Sequence, residues 1–159
     1  MFKKNFFLIS IILIAIVSRF IPHPPNFTPI TAIALLASKG FDNRLASFFV
    51  PLVSMIISDF FLGFHSTIFF VYGSYILITL YGRLNKKITV LTVIFSSMIF
   101  FVVTNFGVWL NGYPITMEGF LLCYSLALPF FVYTLLGDIF YSGTMIFSFK
   151  YFKRIQIVK

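Results

Sequence analysis

The stretch Ile21-Pro22-His23-Pro24-Pro25-Asn26-Phe27-Thr28-Pro29, the proline loop, lies between two apolar runs and decides the fold. Phe6–Ile21 leads into it with 16 residues, and Ile30–Gly40 follows it with 11 residues. As helices these runs are roughly 24 Å and 17 Å long, whereas the apolar core of a bilayer is about 30 Å thick. If both runs lie in a membrane, the proline loop dips to membrane depth. Non-helical backbone persists there only when it is buried in protein or lines a polar cavity, so the loop is a candidate binding site.

The composition is that of a membrane protein. Of the 159 residues, 60% are hydrophobic and 10% are charged, and the mean hydropathy is +1.02. The 24 Phe and 8 Tyr suit a lipid-facing surface with aromatic belts at its edges. The length allows one compact bundle, so we predict a single integral membrane domain over residues 1–159, passing several times through the cell (inner) membrane. The single cysteine, Cys123, excludes an intrachain disulfide and fits a buried small apolar residue.

Six apolar segments predict an all-α, six-transmembrane-helix bundle. The segments are Phe6–Ile21, Ile30–Gly40, Leu45–Leu62, Ser66–Tyr81, Ile88–Leu110 and Phe120–Phe149. The first segment follows Lys3 and Lys4 and imitates a signal peptide, but Ile16 fits poorly at the −3 position of a cleavage site near Ser18. We therefore treat it as the first helix.

The distribution of basic residues predicts that both termini are cytoplasmic. With the N-terminus inside, only Arg19 lies on the outer side, in a region that also holds the proline loop. The other eleven of the twelve basic residues lie inside: Lys3, Lys4, Lys39, Arg44, Arg83, Lys86, Lys87, Lys150, Lys153, Arg154 and Lys159. This split obeys the positive-inside rule. A five-helix alternative, with Ile30–Gly40 as a re-entrant half-helix, would move later basic loops to the wrong side.

Polar residues from four segments map to the outer half of this topology and form the predicted substrate-binding site. They are Arg19, His23, Asn26, Asp59, His65, Asn105, Trp109 and Tyr113. Ionisable groups within apolar segments are costly and usually face the bundle interior, and together such groups describe an outward-facing pocket with apolar walls. Structural roles stay open, because Asp59 fits a pair with Arg19 and Trp109 fits an interfacial anchor. Asp138 lies nearer the inner side and fits a structural or partner-contact role.

No sequence motif supports catalysis. The chain has no His-Glu-x-x-His, no Gly-x-Ser-x-Gly, no phosphate-binding Gly-rich loop and only four acidic residues. His23, His65 and Asp59 offer metal-ligating groups, but their spacing matches no known site. We expect a protein that is not an enzyme and that uses no cofactor or resident metal.

Four stretches carry a family resemblance: Arg19 to Ile30, Ser58-Asp59-Phe60-Phe61-Leu62-Gly63-Phe64-His65, Thr104-Asn105-Phe106-Gly107-Val108-Trp109 and Pro129-Phe130-Phe131. Over nearly its whole length the chain resembles a family of uncharacterised small bacterial membrane proteins, of the DUF6580 type. That family in turn resembles the substrate-binding (S) components of energy-coupling-factor (ECF) transporters.

The resemblance implies a six-helix bundle with a substrate pocket near its outer face. It implies capture of a vitamin-like molecule or metal ion, and docking on an ECF transmembrane coupling subunit driven by ATPases. S components often present an Ala-x-x-x-Ala stripe to the coupling subunit, and the nearest match here is Ala34-x-x-x-Ser38. S components of the nickel and cobalt type carry a histidine next to the initiating Met. The start Met1-Phe2-Lys3 counts against that type.

The predicted function is therefore that of a solute-binding membrane subunit of an ECF-type importer, with no ATPase activity of its own. Its partners would be a small-molecule solute, the coupling subunit with its ATPases, and the lipid bilayer, but not nucleic acid. The first alternative is a small structural or scaffold membrane protein, in which the polar residues only tie helices together. An intramembrane enzyme is a second alternative.

Overall fold

Six helices make up the computed structural model, which describes residues 2–41 and 43–157. They are α1 (Phe2–Phe20), α2 (Ile30–Gly40), α3 (Arg44–Leu62), α4 (Ile68–Leu84), α5 (Val90–Gly112) and α6 (Met117–Ile157). These helices fall on the six predicted apolar segments, and the described part of the chain contains no β-strand. The all-α prediction is confirmed. Lys159, which entered the charge count, lies outside the described residues.

Among the residues that the structure describes, three helices have the length and apolar composition of a membrane span. They are α3, α5 and the Met117–Ser148 part of α6. Helices α2 and α4 are also apolar but shorter, with 11 and 17 residues. Large apolar side chains such as Phe60 and Phe69 cover the outside of the bundle, where they are 71% and 85% exposed. Water-soluble proteins rarely expose so large a continuous apolar surface, so this distribution indicates a surface that contacts lipid.

Hydroxyl side chains fill much of the interior. The completely buried ones are Ser47, Ser54, Ser58, Ser74, Thr79, Ser96 and Ser97. Several bond within their own helix: Ser54 donates to Val50 O at 2.8 Å, and Ser96 donates to Thr92 O at 2.8 Å. Small hydroxyl residues that satisfy themselves in this way allow helices to approach closely, as is typical of helix packing in membranes.

Helix α2 is the centre of the bundle. It contacts each of the other five helices, and eight of its eleven residues are buried. Its length of roughly 17 Å therefore does not have to match the thickness of the apolar core of a bilayer. Protein surrounds α2 instead, which explains how so short an apolar helix is accommodated.

The small residues of α2 pack against α4. Ala34 and Ser38, which were predicted to contact a partner protein, are 0% and 5% exposed within the bundle. A Cβ atom placed on Gly82 of α4 would lie 2.5 Å from Ser38 Oγ and 3.1 Å from Leu35 Cδ2. Small residues are needed at these positions because α2 and α4 approach closely within the bundle.

Basic side chains tie the turn after α2 to the end of α4. Lys39 Nζ donates to the carbonyl oxygen of Asn85. Arg83 Nη1 donates to Phe41 O and to Ser47 Oγ, both at 3.2 Å. These contacts lie at the end of the bundle opposite the proline loop, since the loop joins the last residue of α1 to the first residues of α2.

Candidate functional site

The proline loop folds as a tight turn. Asn26 has a φ of 62°, in the left-handed region that Asn adopts more readily than most residues. The Phe27 N–H donates to Pro24 O at 3.0 Å, and the Nδ1–H of His23 donates to the same carbonyl at 2.8 Å. The loop therefore satisfies part of its own backbone hydrogen bonding.

Phe27 anchors the proline loop on α6. Its ring lies 6.1 Å from the Phe140 ring and 5.5 Å from the Tyr141 ring, measured between centroids. The approach is close enough that a Cβ atom on Gly137 would lie 3.0 Å from Phe27 Cα. A side chain on Gly137 would push the loop backbone away from α6, so the glycine allows the loop to pack closely on this helix.

A cavity of about 410 Å³ opens beside the proline loop. All six helices or the loops between them contribute to its wall. The lining residues are Arg19, His23, Asn26, Thr28, Ile30, Met55, Leu62, His65, Thr67, Val71, Tyr75, Phe100, Phe101, Thr104, Asn105, Val108, Phe130, Phe131 and Thr134. A volume of this size is in the range of small-molecule sites.

The cavity lining combines aromatic and polar groups. Four phenylalanines of α5 and α6, Phe100, Phe101, Phe130 and Phe131, form the aromatic wall. The rings of Phe101 and Phe131 lie 4.8 Å apart, so the wall is continuous between the two helices. Charged, imidazole and amide groups from the end of α1, the proline loop, the segment after α3 and α5 complete the lining. This arrangement suits a solute with a planar apolar part and a few polar groups.

An ion pair lies at the edge of the cavity. Arg19 Nη1 is 2.5 Å from Asp59 Oδ1, and the same nitrogen donates to Ser58 Oγ at 2.5 Å. Tyr72 donates its hydroxyl to Asp59 Oδ2 at 2.8 Å. The carboxylate is 1% exposed and the Arg19 side chain is 17% exposed, so the acidic partner is the more deeply buried. Asp59 therefore faces Arg19 and Tyr72 and is absent from the cavity lining.

Asn105 is held within α5. Its Nδ2 donates to Phe101 O at 2.8 Å, one turn earlier in the same helix. Its backbone carbonyl oxygen receives a weak hydrogen bond from Cys123 Sγ at 3.6 Å, which joins α5 to α6. Because the amide nitrogen is paired, much of the cost of burying Asn105 is met without a ligand.

The structure brings five of the eight predicted site residues to the cavity. They are Arg19, His23, Asn26, His65 and Asn105. The His65 ring is exposed, and its Nδ1 lies 3.0 Å from Thr67 Oγ1. Both histidines line the cavity, whereas Asp59 is engaged by Arg19. Within the described residues, no three metal-ligating side chains are grouped together.

Trp109 and Tyr113, the two other residues predicted to share the pocket, lie outside the cavity lining. The Trp109 indole N–H donates to Pro114 O at 3.0 Å, and its ring packs edge-on against Phe120 at 5.3 Å. Tyr113 caps the end of α5 through a backbone hydrogen bond to Trp109 O. Trp109 thus fastens the turn between α5 and α6, and Val108 takes the cavity-facing position beside it.

Sequence reasoning missed two groups of lining residues. One is the aromatic wall, because the sequence of an apolar helix does not distinguish a phenylalanine that faces a cavity from one that faces lipid. The other consists of neutral hydroxyl residues, namely Thr28, Thr67, Tyr75, Thr104 and Thr134. A hydroxyl side chain can form a hydrogen bond within its own helix, as when Thr104 donates to Phe100 O at 2.8 Å. Its presence in an apolar segment therefore does not indicate a binding site.

The model of one protein family, described as a family of unknown function (DUF6580), matches residues 1–158. No curated protein and no solved structure matches the chain.

Proposed function

We propose that this chain, which belongs to the DUF6580 family, is a membrane protein that binds a small solute in the cavity beside the proline loop. The observation that carries the proposal is the cavity itself, with about 410 Å³ of space at one end of the bundle. A protein that only tied helices together would have no need of such a space, since interiors normally pack without voids of this size. The cavity therefore favours solute binding over a scaffold role.

The lining supports a neutral or anionic solute with a planar apolar part. The aromatic wall offers ring faces, and His23, Asn26 and His65 offer hydrogen-bonding groups. Arg19 is the charged residue of the lining, and Asp59 already balances it. A vitamin-like molecule or a precursor of one has this chemistry, whereas a cation would find no free carboxylate in the lining.

We further propose six membrane spans with both termini in the cytoplasm, so that the cavity opens outward. The basic residues support this orientation, since Lys39 and Arg83 lie at the end opposite the proline loop. A membrane-impermeant thiol reagent on intact cells, in a Cys123→Ala background, tests it. His65→Cys should react on intact cells, and Lys86→Cys should react only after lysis. The reverse pattern would contradict the orientation.

The resemblance to ECF S components supports a role in import. In this proposal the chain captures the solute outside the inner membrane and associates with a coupling membrane subunit and its ATPases. Affinity purification from native membranes should recover those partners. Concentrative uptake by the purified chain alone in liposomes, without any ion gradient, would contradict this mechanism.

Filling the cavity tests solute binding directly. Thr104 is buried and lines the cavity, so Thr104→Trp should exclude the solute. Val102, on the same helix, is 52% exposed, and Val102→Trp is the matched control. Native mass spectrometry should find a small molecule on the wild type and on Val102→Trp. Its affinity for Thr104→Trp should fall about 100-fold, which corresponds to a loss of about 2.7 kcal/mol.

A milder variant, Thr104→Phe, covers the case in which Thr104→Trp does not fold. Equal binding by the wild type and both filled variants would show that the cavity is not the solute site. Such a result, with unchanged thermal stability, would favour the scaffold alternative.

A further inference from the structure

A second polar site lies below the cavity, around Asp138. This residue is on α6, one turn further along than Thr134, which lines the cavity, and residues four apart share a helical face. The two side chains are therefore roughly 6 Å apart along the helix axis. The sequence left a structural or a partner-contact role open for Asp138, and its side chain, 1% exposed, lies inside the bundle.

The surroundings of Asp138 are hydroxyl groups. Ser97 of α5 donates to Asp138 Oδ2 at 2.6 Å, and Thr31 of α2 lies close to the same carboxylate. Tyr75 of α4 is the titratable group that faces it from the remaining helix. Among residues 12–41 and 43–148, whose side chains the structure describes, no lysine, arginine or histidine forms an ion pair with this carboxylate. A buried carboxylate without a cationic partner is one of the costliest arrangements in a membrane protein and marks an ion or proton site by default.

Hydroxyl groups connect Asp138 to the cavity in one direction and continue beyond it in the other. Tyr75 lines the cavity and lies close to Thr31 and Thr28. On the far side, Ser142 follows Asp138 by one turn and is 3% exposed, and its Oγ has no hydrogen-bond partner. A buried hydroxyl without a partner, one turn from a buried carboxylate without a counter-charge, indicates that a ligand completes this region.

We propose that Asp138, Ser97 and Thr31 bind a small monovalent cation, either Na⁺ or a proton. The cation neutralises the carboxylate, and the hydroxyl oxygens supply the remaining hydrogen bonds or ligands. The site is separate from the solute cavity but linked to it through Thr31 and Tyr75. A coupling between cation and solute would rest on the proposed function, whereas the cation site itself does not.

The thermal stability of the purified full-length chain in detergent tests the site without any solute. In the sodium arm, choline chloride is replaced by sodium chloride at constant ionic strength. In the proton arm, the pH is lowered from about 8 to about 6 in choline chloride, a range that lies above the ordinary titration of carboxylates. Because the cation binds the folded state, one of these changes should raise the Tm of the wild type by about 3 to 5 °C relative to Asp138→Asn.

Asp138→Asn removes the charge and keeps the shape and the contact with Ser97, so its Tm should not follow the responding cation. Glu118→Gln is the matched control, because Glu118 is an exposed acidic residue in the first turn of the same helix. This control should respond as the wild type does. The comparison with Asp138→Asn also removes the contribution of every other ionisable group, because those groups are present in both proteins.

A response to sodium identifies Na⁺, and a response to pH alone identifies a proton. A wild type that responds to neither, or an Asp138→Asn variant that keeps the full response, would overturn the proposal. If Asp138→Asn does not fold, Ser97→Ala tests the cation site instead. It keeps the carboxylate but loses the hydrogen bond that Ser97 donates to it. If the ligand is Na⁺, one oxygen ligand is lost and the half-maximal response should require about tenfold more Na⁺. If the ligand is a proton, the charged carboxylate loses a stabilising hydrogen bond and the half-maximal response should occur at about tenfold lower proton concentration. An unchanged midpoint would also overturn the proposal. None of these outcomes depends on solute binding, which Thr104→Trp tests separately.

Discussion

Removing either partner of the Arg19–Asp59 pair should destabilise the protein more than removing both. Asp59→Ala and Arg19→Ala should each cost about 3–5 kcal/mol, because each leaves a charge that has lost its partner. The two losses should differ. Arg19→Ala leaves a carboxylate that is 1% exposed, whereas Asp59→Ala leaves a guanidinium that is 17% exposed and lies near the end of α1. Arg19→Ala is therefore the more damaging change.

A double-mutant cycle, measured as thermal stability in detergent, checks this expectation. The Arg19→Ala/Asp59→Ala variant should recover part of either single loss, since no unpaired charge remains. Tyr72→Phe is the control, because it removes one hydrogen bond to Asp59 and leaves the pair intact. It should cost about 1 kcal/mol. Additive losses in the cycle would show that Arg19 and Asp59 do not interact.

Gly82→Leu should have a comparable effect at the opposite end of the bundle. A side chain there meets Ser38 Oγ at 2.5 Å and Ser38 Cβ at 3.0 Å, so α4 would be forced away from α2. Overpacking of this kind costs about 1–3 kcal/mol and sometimes more. Gly73→Leu on the same helix is the control, because a Cβ on Gly73 has no neighbour within 4 Å.

The reverse change offers a further check on the α2–α4 contact. Ser38→Gly should restore part of the stability that Gly82→Ala loses, because it removes the atoms that the new Cβ meets. Equal stability of Gly82→Leu and Gly73→Leu would show that the two helices are not tightly packed at this point.

Much of the fold could be predicted because an apolar helix interrupted by charges or prolines is unmistakable in a sequence. The bounds Ile30–Gly40 of α2 and the end of α3 at Leu62 were predicted to the residue. Which helix face points inward was harder to predict. Lipid is as apolar as the interior of the bundle, so the periodicity that reveals the buried face of a water-soluble helix is weak here.

The same ambiguity affects the positions of individual side chains. Trp109 lies four residues from Asn105, a spacing that predicts a shared face, whereas Asn105 lines the cavity and Trp109 packs on the start of α6. Ala34 and Ser38 have the spacing of a docking stripe, but the same spacing serves contact between helices inside one chain. The sequence shows the small residues but not which surface they meet.

Asp138 illustrates the opposite case. Its sequence position indicated only that a charge lies in an apolar segment, and its partners come from α5 and α2, which lie 41 and 107 residues away in the chain. No local pattern relates Asp138 to Ser97 and Thr31. The tertiary structure alone shows that this carboxylate has hydroxyl neighbours and lies one turn below the cavity.

The burial of α2 has a consequence for how the protein is made. A nascent segment enters the bilayer on its own when it offers about 20 apolar residues, and α2 offers 11. Most of its final neighbours, including α4, α5 and α6, are synthesised after it. During translation α2 is therefore too short to stay in lipid alone, and most of the helices that will enclose it have not yet been made. We expect its final position to be reached late, after the helices that enclose it have been inserted, and the proline loop and cavity to form only in that last step.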